Sequence, residues 1–307
     1  MAKKSKDPGI GHNSRENAKS VINADGSSNV QHINRKRNLN DLYGYFMGIS
    51  WSQFFVLIVL VYTFLNMMFG LLYVLIGIEQ ITNTKGTFLE DFLNGFFFSA
   101  QTLTTVGYGG IVPKGIAANF IAVFEAMLGL LCFSFITGML YGRFSKPKAY
   151  IAFSKNLILR DFKDQKTIMF RLMNSRKTVM IEPAIKVTLS ITEKDEEGEF
   201  KRNFYELKLE RSNIMYLPTV WTIVHNIDTE SPLFEYSKEA IKKLNAHLYI
   251  VLHYHEKSFS QVVYQIYSYN FADLITDVKY KQTASFDAEG YTVLDHETLS
   301  AVEKNEV

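Results

Sequence analysis

The chain has 307 residues, a formal net charge of +2 and 47% hydrophobic residues. That is length enough for two domains, with too little net charge to support a nucleic-acid partner. Its single cysteine, Cys132, excludes an intramolecular disulfide framework and a multi-cysteine metal site, and its apolar surroundings make it small hydrophobic filler.

Apolar residues concentrate between about Trp51 and Tyr141, and charged ones crowd both flanks. Residues 1–40 are rich in Lys, Ser, Asn and Gly, too polar to offset the entropy of folding, so a disordered N-terminus is expected. No apolar stretch closely follows the opening lysines, so this is not read as a signal peptide. Arg35, Lys36 and Arg37 form a basic cluster that is either a solvated charge run or a contact for anionic lipid. Residues 41–50 are too short to span a bilayer and mix aromatic with aliphatic side chains. They fit a slide helix along the membrane interface, anchored by Tyr43, Tyr45, Phe46 and Trp51.

A transmembrane pore domain is expected over residues 51–145. From Phe54 to Ile78 there are 25 residues without a formal charge, which as a helix reach about 37 Å against a hydrocarbon core of about 30 Å. Asn66 is the main polar interruption and bonds either a neighbouring helix or its own backbone. Phe88 to Thr102, with Glu90 and Asp91 early, is a short helix that cannot cross and runs straight into Thr104-Thr105-Val106-Gly107-Tyr108-Gly109. Such a re-entrant segment is tolerated only where protein surrounds it or it lines water.

Two glycines and three hydroxyl side chains in an apolar neighbourhood make the backbone itself the functional surface. A dehydrated potassium ion needs a stack of carbonyl oxygens, and Thr-Val-Gly-Tyr-Gly is the filter motif of potassium channels. Gly107 and Gly109 permit the positive φ values needed to turn the carbonyls of Thr105, Val106, Gly107 and Tyr108 toward one axis. One loop cannot surround an ion, so a symmetric ring of chains is implied.

Gly115 to Tyr141 forms the second span. Glu125, inside it, is either an ion-handling acid or a support behind the filter, bonded to hydroxyls such as Thr102 or Thr104. Gly129, Phe133, Thr137 and Tyr141 repeat four apart and mark one face, placed in part on the pore with an aromatic constriction at Tyr141. Lysines and arginines crowd the flanks and are sparse between the helices, which puts both termini in the cytoplasm.

From Lys148 onward, short alternating runs appear, clearest where Ile185, Val187, Leu189 and Ile191 alternate with polar residues. An antiparallel, immunoglobulin-like β-sandwich is expected over residues 146–295, with residues 296–307 as a tail. His253 and His255 share a strand face but lack a third ligand, and no catalytic constellation supports an enzyme.

The order of slide helix, outer helix, pore helix, Thr-Val-Gly-Tyr-Gly, inner helix, Arg143-Phe-Ser-Lys-Pro-Lys148 and Phe153-Ser-Lys-Asn156 resembles the inward-rectifier potassium channel family in its prokaryotic form. Met169 to Lys177 and Thr222 to Leu233 are similar to stretches of that family's cytoplasmic domain. The resemblance implies a homotetramer in the bacterial inner membrane passing K+ without a cofactor, gated at the inner-helix crossing at Tyr141 and by lipid, anionic or phosphoinositide-like, or movement of the cytoplasmic domain. It places Arg143, Lys146, Lys148, Arg176 and Lys177 at lipid head groups and Glu182 on the cytoplasmic pore. Phe133 departs from the acid of strongly rectifying relatives, and Gln101 and Ile111 replace the charge pair that braces many eukaryotic filters. A poorly selective cation channel and a membrane-tethered ligand-sensing module are the competing readings.

Overall fold

The change of texture along the chain becomes two separate units in the computed structural model, which describes residues 4–16, 18–34, 42–83 and 85–304. One unit is Arg35–Lys146, and the other joins Met1–Asn34 to Pro147–Val307. The basic cluster at 35–37 and the start of the slide segment at Asp41 lie outside the described residues.

The first unit is helical: α1 (Leu42–Gly48), α2 (Trp51–Ile76), α3 (Phe88–Leu103) and α4 (Ile116–Phe144). Local chemistry sets the starts of α2 and α3. At α2, Ser50 Oγ accepts from Gln53 N at 3.2 Å while Ser50 N donates to Gln53 Oε1 at 3.0 Å. Thr87 and Glu90 make the same reciprocal cap at α3, satisfying helix-start donors that have no intrahelical partner. Both α2 and α4 are long and apolar enough to cross a membrane.

Glycine lets these helices meet backbone to backbone. A Cβ on Gly95 of α3 would lie 2.7 Å from the Gly70 carbonyl oxygen of α2, closer than side chains allow. Phe69, Tyr73, Phe98, Ala118 and Ala122 fill the space around that crossing.

The second unit carries β1 (Ile151–Phe153), β2 (Leu157–Phe162), β3 (Gln165–Asn174), β4 (Met180–Lys194), β5 (Phe200–Glu206), β6 (Tyr216–Leu217) and β7 (Val220–Asn226). After α5 (Lys238–Lys243) come β8 (Ala246–Glu256), β9 (Gln261–Asn270), β10 (Leu274–Thr276), β11 (Val278–Tyr280), β12 (Ala284–Phe286), β13 (Thr292–Leu294) and β14 (Val302–Lys304). One sheet runs β1-β3-β2-β10 with β7 on β3, and the other runs β5-β4-β8-β9 with β6 on β4. The expected alternation on β4 holds: Ile185, Val187, Leu189 and Ile191 face Leu252, Ile250, Leu248 and Ala246 of β8. All eight are buried in the core between the sheets. The sandwich is not wholly antiparallel, because β10 pairs parallel with β2.

Two boundary expectations are corrected. Residues 4–16 and 18–34 were expected to be disordered, yet Arg202 N donates to His12 O at 2.7 Å and Ser14 N donates to Phe200 O at 3.0 Å. Farther along, Ser268 Oγ of β9 donates to Ile22 O at 3.2 Å. Main-chain pairing along the edge strand β5 needs no apolar side chains, so composition does not reveal it. The expected tail from 296 is likewise part of the fold through 304: β14 pairs with β11, and Asn156 Nδ2 donates to Ser300 O at 2.7 Å.

His225 on β7 is buried, with Nδ1 2.7 Å from Lys208 O and Nε2 2.9 Å from Ser231 Oγ. Burial holds its pKa below the usual 6.5. The unfolded chain therefore takes up a proton first as pH falls through that value, and folded stability drops with it. Folding free energy should fall between pH 7 and pH 5, by at most about 1.4 kcal/mol per pH unit for this group, and melting temperature should fall with it. In His225→Gln the fall should be shallower; an identical pH profile would show that another group drives it.

Candidate functional site

The end of α3 shapes the segment at the centre of the helical unit. Thr104 N still donates to Ala100 O at 3.3 Å, after which Val106 N and Gly107 N both turn back to the Gln101 carbonyl, at 2.9 Å and 3.4 Å. Gly107 and Gly109 have φ of +55° and +79°, the conformations expected of them. Thr105 has φ of +58°, which the sequence did not suggest. A β-branched residue in that region costs on the order of 1–3 kcal/mol, and such strain clusters at functional backbone. Left-handed residues at every second position reverse alternate peptide planes, so carbonyls that would alternate can line one side. Residues 104–110 are exposed in a single chain, Tyr108 at 81%.

On α4, Glu125 is completely buried. Its Oε2 accepts from Tyr73 Oη of α2 at 2.7 Å, and its Oε1 is bonded to Ser99 Oγ of α3. Ser99 Oγ also lies 2.9 Å from Asn66 Oδ1, and Asn66 Nδ2 donates to Tyr62 O at 2.7 Å. Glu125 is thus bonded to Tyr73 and Ser99, not to the expected Thr102 or Thr104. Thr102 and Thr104 donate instead to Phe98 O and Ala100 O, at 2.8 Å and 2.6 Å. Sequence reasoning missed Tyr73 and Ser99; the available signal was isolated polar side chains in apolar helices.

The stripe on α4 divides. Phe133 and Tyr141 are 70% and 75% exposed in one chain, and Thr137 is exposed between them. Gly129 is not on that face: it is buried, and a Cβ there would collide with the Leu103 carbonyl at the end of α3. The reason is geometric. Steps of four residues advance about 40° around a helix, so Gly129 and Tyr141 point about 120° apart.

Arg143 in the last turn of α4 is not free in the way a head-group ligand would be. Its guanidinium donates to Phe46 O, and to Ile49 O at 2.7 Å, the carbonyls that close α1. It also lies 4.7 Å from the ring centroids of both Trp51 and Phe54. An arginine fork thus caps α1 and stacks on two rings. Lys146 is exposed in the same unit, and Lys148 and Lys177 are exposed in the other. Arg176 lies over the Tyr150 ring at 3.7 Å. Glu182 is exposed with φ of +49°, at the bulge where the β4–β8 register shifts. Among the described residues, no group of three or more His, Cys, Asp or Glu side chains is placed to hold a metal.

Residues 151–307 match the family described as inward rectifier potassium channel C-terminal domain, and residues 55–146 match the one described as ion channel. The chain is similar to the inward rectifier potassium channel Kirbac3.1 of Paramagnetospirillum magnetotacticum, 32% identical over 83% of this chain and 86% of that protein. It is 27% and 26% identical to the G protein-activated inward rectifier potassium channel 2 of Mus musculus and of Homo sapiens, over 82% of this chain. It spans 65% and 66% of the lengths of those two proteins.

Replacing Arg143 with Gln should free α1 by removing charged hydrogen bonds worth about 2 kcal/mol each. Hydrogen exchange across 42–49 is expected to accelerate while α2 keeps its protection. Unchanged exchange would mean that the cap does not hold α1.

Proposed function

The chain belongs to the inward rectifier potassium channel family, and on that premise we propose that four copies surround one axis and pass K+ passively through the carbonyls of Thr105, Val106, Gly107 and Tyr108. One observation carries this reading: positive φ at 105, 107 and 109 at the end of a helix too short to span, set between two helices that can. Four such loops replace the hydration shell of the ion with carbonyl oxygens. The chain is a channel subunit and not an enzyme.

Thr104 and Glu125 support the filter, the first as the cap of α3 and the second through bonds to α2 and α3. The C-terminal end of α3 aims its partial negative charge at the permeating cation. Phe133, Thr137 and Tyr141, exposed along α4 in one chain, line the inner pore, with Tyr141 closing it by dewetting. With Phe133 where strong rectifiers carry an acid, block by polyamines is weak.

Both termini face the cytoplasm of a bacterial inner membrane, and Glu182 faces the cytoplasmic path of the ion. Lys146, Lys148, Arg176 and Lys177 meet anionic, phosphoinositide-like head groups. Arg143 shares that role through the slide helix it caps, which couples the membrane surface to the turn of α4 next to Tyr141.

Liposomes holding the purified tetramer should release K+ but not Na+ down an outward gradient, with block by barium. Gly107→Ala puts a side chain on a left-handed residue and should abolish the K+ preference. Equal K+ and Na+ flux in the wild type would sink the filter assignment. Tyr141→Ala should raise closed-state leak, and an unchanged leak would move the gate elsewhere.

A further inference from the structure

The bonds behind the filter contain more links than the obvious donors supply. Three oxygen pairs lie in a row: Asn66 Oδ1 with Ser99 Oγ at 2.9 Å, Ser99 Oγ with Glu125 Oε1, and Glu125 Oε2 with Tyr73 Oη at 2.7 Å. Each pair needs a hydrogen, and Ser99 and Tyr73 bring one each. The Asn66 amide cannot supply the third. Its Nδ2 is engaged with Tyr62 O at 2.7 Å, and flipping the amide would turn its oxygen toward that carbonyl.

We propose that Glu125 is a neutral acid whose own hydrogen completes this chain, making it a positioning residue that ties α2, α3 and α4 together behind the filter. Glu125 Oε1–H donates to Ser99 Oγ, Ser99 donates to Asn66 Oδ1, and Tyr73 donates to the remaining carbonyl oxygen Oε2. Every donor and acceptor in the row is then used once in a consistent direction. The ionised alternative fails on two counts. Ser99 would give its hydrogen to the carboxylate, leaving Asn66 Oδ1 against a second lone pair. A completely buried charge would also stand without a cation, since none of the ion pairs among the described residues involves Glu125. The groups bonded to it are Tyr73 from α2 and Ser99 from α3, with Asn66 of α2 next in the row, and none of them is charged.

The role in supporting the filter rests on the channel reading, but the hydrogen count does not. Infrared difference spectra of the reconstituted full-length protein at neutral pH separate the two. Wild type minus Glu125→Gln should show the carbonyl stretch of a protonated carboxylic acid. Tyr73→Phe, which removes the donor to Oε2, should shift that band to higher frequency, and this test stands even where the Gln variant folds poorly. Carboxylate stretches in place of the acid band would overturn the proposal, as would a band that Tyr73→Phe does not move. Glu125→Gln should melt with the wild type, because an amide can both donate to Ser99 and accept from Tyr73, whereas Glu125→Ala should melt earlier. A present band in a protein that shows no potassium flux would fail the channel reading and leave the neutral acid standing.

Discussion

Irregular backbone between membrane-spanning helices must find a partner for each N–H and C=O it presents, and the helical unit is arranged around that demand. After α3, Thr104 N and Thr105 N donate to Ala100 O and Thr102 O, and Val106 N and Gly107 N fold back onto the Gln101 carbonyl, so these four donors are satisfied inside the chain. On the proposed reading the turn's own carbonyls are left to the ion on the axis. A loop so built cannot stand alone in one subunit, and its exposed residues 104–110 are consistent with the proposed ring of four.

Holding such a loop in an apolar medium calls for forces other than the hydrophobic effect, because lipid is as apolar as leucine. Two devices meet at α3. Gly70 and Gly95 bring its backbone against α2, where dispersion is strongest, and the row from Asn66 to Tyr73 joins three helices by directional bonds. At the other end of α4, Arg143 replaces the missing donors at the close of α1. The same inner helix is thus fixed near the proposed filter by Glu125 and tied to the interface by Arg143. The proposed gate residues Phe133, Thr137 and Tyr141 lie between these two attachments.

Much of this was legible in advance because the bilayer imposes a coarse code. Length and freedom from charge marked both spans, and the glycine spacing of 107 and 109 marked the turn. Alternation at Ile185 to Ile191 marked the strand at the centre of its sheet. The errors have a common origin in contacts that leave no periodic trace. The N-terminal arm is held by main-chain bonds to β5, the parallel β2–β10 pair joins distant segments, and Gly129 drifts off the stripe by helical geometry.

By itself, the sequence determined that two apolar helices flank a glycine-bearing filter motif and that a strand-rich domain follows, since hydropathy and backbone permissiveness are properties of the residues themselves. Only the tertiary structure decided which polar groups meet. Glu125 finds Ser99 and Tyr73 rather than Thr102 or Thr104, and Arg143 finds the carbonyls of Phe46 and Ile49. Thr105 accepts a left-handed conformation that its side chain disfavours. Hydrogen-bond partners depend on how helices cross and how far each has rotated, and those quantities are fixed by packing across the whole unit.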